Sequence, residues 1–186
     1  MQQVTEQFSS ATSRKTMWDE SVEELITQLA APKATVGILY TSEDLAPFLG
    51  KMLDQLRLKT GVTDWACASG YGTISHTEEV FGESSATVIV LDLPPDAYKV
   101  FSGNADVGTL LSDKESEWLA EATMPLAISH VDPRHTGAMD AISNLVETTG
   151  SFLIGGLTVA SSDSPHLVNA EKTCISGIAA VSYTHL

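Results

Sequence analysis

Ala34-Thr35-Val36-Gly37-Ile38-Leu39-Tyr40 and Trp65-Ala66-Cys67-Ala68-Ser69 are short, largely apolar runs, and between them Leu45, Phe48, Leu49, Met52, Leu53 and Leu56 recur at helical spacing. Runs of that length bounded by turn signals read as buried strands, and the stripe between them reads as an amphipathic helix. Thr41 or Ser42 can cap that helix, Glu43 and Asp44 fall in its first turn, Pro47 lies early enough to be tolerated, and Gly61 can end it. A strand, a helix and a strand in this order form, most simply, a right-handed parallel crossover.

The same grammar returns further along. Pro125-Leu126-Ala127-Ile128-Ser129 reads as a strand, and Met139, Ile142, Leu145 and Val146 mark a helix stopped by Gly150. Phe152-Leu153-Ile154-Gly155-Gly156-Leu157 is then a strand that ends in two glycines. Ahead of the first unit, Val22, Leu25, Ile26 and Leu29 predict a helix that starts near Asp19 and stops at Pro32. Ala86-Thr87-Val88-Ile89-Val90-Leu91 predicts a further strand closed by Pro94-Pro95, and Ile175–Val181 a last one. Ser112 can cap a helix carrying Trp118, Leu119 and Ala122, and residues 1–17, polar and without periodicity, read as a mobile lead-in. The expected fold class is α/β: mixed β-sheet layers flanked by helices, with two sheets stacked between helices (an αββα-type sandwich) as one form of it.

The 186 residues suit one domain with a sizeable core. Charged side chains make up 18%, below the ~25% usual in globular proteins, yet 24 acidic residues against 10 basic ones leave a net charge of −14. Such a field repels phosphate backbones and anionic lipid, so neither nucleic acid nor a membrane surface is an expected partner. A small anion remains compatible, because backbone N–H groups bind one locally. Cys67 and Cys174 are too few for a disulfide scaffold, and Cys67 alternates with apolar neighbours as a core thiol would. The sequence holds no transmembrane-length apolar span, and the first residues carry no signal-peptide core, so a cytoplasmic location is expected.

In open α/β sheets, ligands sit beyond the carboxyl ends of the strands. The residues expected to contact a small molecule are therefore Tyr40, Ser69, Gly70, Tyr71, Gly72, Gly155 and Gly156. Backbone amides at the glycines would hold its polar part, and a tyrosine would cover its apolar part. Catalytic readings are weaker. Ser69 stands where a nucleophile elbow would place a serine, but Cys67 and Tyr71 occupy the positions of the two glycines, which favours a turn residue. Gly70-Tyr71-Gly72 opens a dinucleotide pattern whose third glycine is replaced by Ser75, and no Gly-Lys-Ser/Thr is present. His130, Asp132 and His135 could supply a mixed nitrogen and oxygen metal site for an assisted hydrolysis, but the simpler reading is that Asp132-Pro133 opens and caps the next helix and the histidines are polar loop residues. His76 with Glu78 and Glu79 reads as a solvated loop. No cofactor is expected.

These glycine-ended strands, in this order, resemble the N-terminal half of FIST proteins, named for F-box and intracellular signal transduction. The resemblance runs from about Val22 to Val181. It is carried by Val36–Ser42, the Cys67–Gly72 turn, Thr87–Leu91, and Phe152–Leu157 leading through a polar loop to Ile175–Val181. It implies a bacterial, non-catalytic sensory domain over residues 18–181 that binds small molecules, amino acids among them, and feeds a signalling partner. It also implies a second, C-terminal FIST domain. Because the last strand ends almost with the chain, the sequence is expected to be a piece of a longer protein, and Ser182–Leu186, which looks like translated adapter, is left unassigned. A purely acidic interaction scaffold is the remaining alternative.

Overall fold

The computed structural model describes residues 8–29, 33–94, 96–103, 117–118, 125–134, 140, 142–143, 146–147, 150–159, 167–168, 173–174 and 178–183. Two mixed sheets lie face to face, and the α/β class expected from the sequence is the one found. The strand Val36–Ser42 (β2) runs parallel to Asp64–Gly70 (β3), the pair predicted by the first strand–helix–strand unit. Leu126–Val131 (β8) runs parallel to Phe152–Leu157 (β9), the pair predicted by the second. Each sheet contains one of these parallel pairs and is extended by antiparallel neighbours.

The first sheet has the order β1-β6-β2-β3-β10-β11, where β1 is Phe8–Ser13, β6 Ala86–Leu91, β10 Leu167–Val168 and β11 Thr173–Cys174. The second has the order β7-β12-β8-β9, with β7 at Tyr98–Gly103 and β12 at Ile178–Tyr183. A separate hairpin pairs Gly72–Ile74 (β4) with Glu79–Phe81 (β5).

Side-chain alternation divides the core in two. The helices Trp18–Gln28 (α1) and Leu49–Thr60 (α2) cover one face of the first sheet. There Val22, Leu25, Leu49, Met52, Leu53 and Leu56 pack on Leu39, Trp65, Cys67, Val88 and Val90. Each fully buried Leu or Met contributes about 1.5–3 kcal/mol relative to exposure, so this layer dominates the hydrophobic stabilisation. The residues between them in sequence, Val36 and Ala66, face the other way and meet Tyr98, Val100, Leu126 and Ile128 of the second sheet. The Tyr98 hydroxyl reaches the Thr35 carbonyl oxygen and an Asp64 carboxylate oxygen, each at 3.0 Å, tying the two layers together. Burial first, and the Asp64 carboxylate second, push this phenol up to about 12.

Local departures from expectation have physical causes. Phe8–Ser13, read as part of a mobile lead-in, is an edge strand paired along its length with β6. Its polar side chains gave no periodic signal, and the stabilisation lies in the backbone ladder. The Gln28 side chain adds to it by bonding both the N–H and the C=O of Thr12, at 3.1 and 2.8 Å. Ser42 does not cap the next helix with its side chain; its hydroxyl bonds Asp44 Oδ1 and the Ser85 carbonyl. Glu43–Phe48 consequently forms a 3-10 segment around Pro47 before α2 begins. Gly61 does end α2, with φ +75° and its N–H on the Arg57 carbonyl.

The polar stretch after Gly72 contains the β4–β5 hairpin, and β7 lies in a segment that carried no legible pattern. The last strand sits at 178–183 rather than 175–181. Glu117 and Trp118 are helical, as are Asp140, Ile142, Ser143, Val146 and Glu147, while Met139, Leu145 and the loop 160–165 lie outside the described residues. No helix among the described residues is long and apolar enough to cross a membrane.

Candidate functional site

The two parallel pairs bring their carboxyl ends to one place. Thr158, just past β9, donates its N–H to the Val131 carbonyl at 2.9 Å. Val159 then crosses to the first sheet: its N–H donates to the Ser69 carbonyl at 3.0 Å, and the Ser69 hydroxyl donates to the Val159 carbonyl at 2.7 Å. Nearby, Tyr40 of β2 and His130 of β8 meet between the sheets, with the phenol oxygen 2.9 Å from imidazole Nε2 and the rings edge to face at 5.2 Å. Alternation explains the meeting. Tyr40 shares a face with Val36, and His130 shares one with Leu126 and Ile128, so both point into the layer between the sheets.

His130 is almost fully buried, and that desolvation lowers its pKa to about 4, so the imidazole is neutral at pH 7. Nε2 is engaged by Tyr40, and Nδ1 is buried without a hydrogen-bond partner among the described residues. A buried ring nitrogen left bare in this way carries a desolvation cost that a bound polar group would relieve.

The seven residues expected at the site fare differently. Tyr40, Ser69 and Gly70 lie at the carboxyl ends of β2 and β3, and Gly155 and Gly156 stand beside Ser129 and His130 in the β8–β9 register. Ser69 is a buried strand residue, not a turn residue, and its hydroxyl is committed to the Val159 carbonyl. Gly72 belongs to the hairpin: a Cβ there would overlap the Val80 carbonyl oxygen, so close strand pairing accounts for this glycine. Tyr71 is 65% exposed and stands toward solvent.

The two β9 glycines are unlike each other. Gly155 has φ +140°, and a Cβ on it would overlap the Ser129 carbonyl oxygen. Among the described residues, no atom lies within 4 Å of a Cβ placed on Gly156. Around them β9 forms the edge of its sheet and leaves Phe152, Ile154 and Leu157 exposed. A hollow of about 380 Å³ lies here, lined by Ser129, Val131, Ile142 and residues 153–157.

The catalytic alternatives gain little. Asp132 is buried and held by its near neighbour, its Oδ1 accepting the Arg134 N–H at 2.9 Å and its Oδ2 lying 2.8 Å from Arg134 Nη2. His135 lies outside the described residues, and no group of three metal-ligating side chains occurs among those described. Cys67 is fully buried, and desolvation pushes its thiol up to about 12, as befits a packing residue. His76 accepts or donates a 2.7 Å bond with Ser10 in an exposed setting that joins the hairpin loop to β1.

Sequence reasoning weighed His130 as a metal ligand or a polar loop residue, and the structure puts it in β8. The signal it left unused was parity: counting by twos from Leu126 places His130 on the buried inner face. No protein-family model matches the chain, and no curated protein matches it.

Proposed function

We propose that this chain is a non-catalytic small-molecule sensing domain of the FIST type, acting inside a bacterial cell. The observation that carries the reading is the hollow along the glycine-ended strand β9, lined by Ser129 and Val131 of β8, Ile142 and residues 153–157. Its volume is within the ~300–1,000 Å³ typical of ligand sites. The glycine-ended strand order of the FIST resemblance supports the same reading.

The route for a signal is the Thr158-Val159 bridge. A ligand in the hollow presses on β9, and the Val159–Ser69 bonds pass any shift to β3 and the first sheet. Such a ligand acts only if it prefers one arrangement of this bridge over another. The receiver is a second FIST domain or a signalling protein.

The test is thermal unfolding of the full chain against a panel of amino acids, small carboxylates and small neutral organics, repeated on Gly156→Trp. A ligand at 100 times its dissociation constant stabilises by about 2.7 kcal/mol. At least one class should raise the midpoint in the parent and not in the variant, whose indole crowds the hollow that Gly156 lines. A panel without effect, or a shift kept in a folded Gly156→Trp, would remove the site from this place.

A further inference from the structure

We infer that the outer face of the β4–β5 hairpin docks a partner protein whose contact surface is apolar and flanked by Lys or Arg side chains. The inference goes beyond the sensing role and does not depend on the hollow at β9.

Alternation assigns the two faces of the hairpin. Thr73 and Val80 stand opposite each other and are buried, so that face lies toward β2 and β6 of the first sheet. Ile74, Glu79 and Phe81 point the other way and are exposed, Ile74 by 71% and Phe81 by 73%. Phe81 stands opposite Gly72, which has no side chain to cover it, and diagonal to Ile74. Tyr71, at the entrance to β4, adds a third large side chain in water. An antiparallel hairpin with one buried face ordinarily carries polar residues on the other. Here the outer face is apolar too, and a group of large apolar side chains held in water marks a binding surface.

The charges around this face select the partner. Glu79 stands directly opposite Ile74 and makes no ion pair among the described residues. Glu78 and Glu83, on either side of β5, share one cation: Arg14 Nε lies 3.4 Å from Glu78 Oε2, and Arg14 Nη1 3.9 Å from Glu83 Oε2. Between Lys59 and Lys99 the chain has no Lys or Arg. The apolar face is therefore bordered by acid, and cations beside apolar side chains complement it. A second copy of this chain, with its net charge of −14, would set acid against acid.

The face is held in shape before anything binds. The Ser75 N–H donates to the Glu78 carbonyl at 2.8 Å, and the Ser75 hydroxyl accepts from the N–H groups of Thr77 and Glu78, which closes the turn. Ser10 Oγ and His76 Nδ1, 2.7 Å apart, tie that turn to β1. A turn fixed in this way spares the complex the entropy of ordering it.

The probes are a short peptide of alternating leucine and lysine and an oligolysine of equal length, each dye-labelled and titrated into the full chain by fluorescence anisotropy. The leucine–lysine peptide should bind more tightly than oligolysine, and added salt should weaken it without abolishing it. Ile74→Thr/Phe81→Thr keeps strand-favouring side chains at both positions. It should weaken the leucine–lysine peptide at least about tenfold and oligolysine by less than about twofold. Glu79→Lys, which leaves the apolar side chains in place, should weaken both peptides about threefold at low salt. Leu58→Gln, at a 74% exposed leucine of α2, should change neither. Equal affinity of the leucine–lysine peptide for the parent and the double variant, an equal loss in Leu58→Gln, or no binding at all would overturn the docking surface. Binding to phosphatidylcholine vesicles that the double variant loses would replace the partner protein by a membrane. A dimer in sedimentation that the double variant dissociates would replace it by a second copy.

Discussion

The Tyr40 hydroxyl and His130 Nε2 lie 2.9 Å apart between the two sheets, and this polar contact sits in a layer otherwise packed from Val36, Ala66, Leu126 and Ile128. Its energetic meaning is asymmetric. Made, the bond contributes modestly; removing the tyrosine hydroxyl leaves both ring nitrogens of the buried His130 without a partner among the described residues.

Tyr40→Phe should therefore destabilise the fold by about 1–3 kcal/mol, measured by urea unfolding. His130→Leu alone should cost a similar amount. The double variant Tyr40→Phe/His130→Leu should recover part of the loss, because no polar group is then left unpaired. Costs that simply add would show that the two side chains are not energetically coupled.

Stability should fall with acidity through this same histidine. Burial lowers the folded-state pKa of His130 to about 4 from an ordinary 6.5, so between those values the unfolded chain binds the proton and the folded chain does not. Unfolding is then favoured as the pH drops through that window, by up to about 3 kcal/mol in total at 1.36 kcal/mol per unit. The loss levels off below about pH 4, where both states are protonated. Urea midpoints between pH 4 and 7 should show this slope in the parent, and His130→Gln should flatten it. An identical slope in the variant would assign the acid sensitivity to other groups.

The two parallel pairs were legible because each is a complete grammatical unit: apolar run, helical stripe, apolar run. β1 was not legible, because Ser9, Ser10, Thr12 and Ser13 carry no hydrophobic period and the strand is held by its ladder to β6 and by Gln28. β7 and β10 owe their places to partners far off in sequence, β12 and β3, whereas the β4–β5 hairpin is local but only three residues a side. Glycine spacing marked the carboxyl-terminal parts of β3 and β9, but it merged two kinds of glycine. A Cβ on Gly72 or Gly155 would meet a neighbouring backbone, whereas one on Gly156 meets none of the described residues, and only three-dimensional proximity separates them.

That separation predicts opposite outcomes for adjacent substitutions. Gly155→Ala must place a Cβ into the Ser129 carbonyl while holding φ near +140°, a conformation that L side chains rarely adopt. Strain of this kind costs of order 1–3 kcal/mol before the steric overlap is added, so a loss of at least about 2 kcal/mol is expected, with β9 loosened from β8. Gly156→Ala meets no atom of the described residues within 4 Å and should change stability by less than about 0.5 kcal/mol. Amide hydrogen exchange reports where the loss falls: in Gly155→Ala, protection should drop first at Gly156 through Val159, the stretch that ties β9 to Val131 and Ser69. Equal stability for the two variants would mean that β9 is not held against β8 at Ser129, and the hollow beside it would lose its wall.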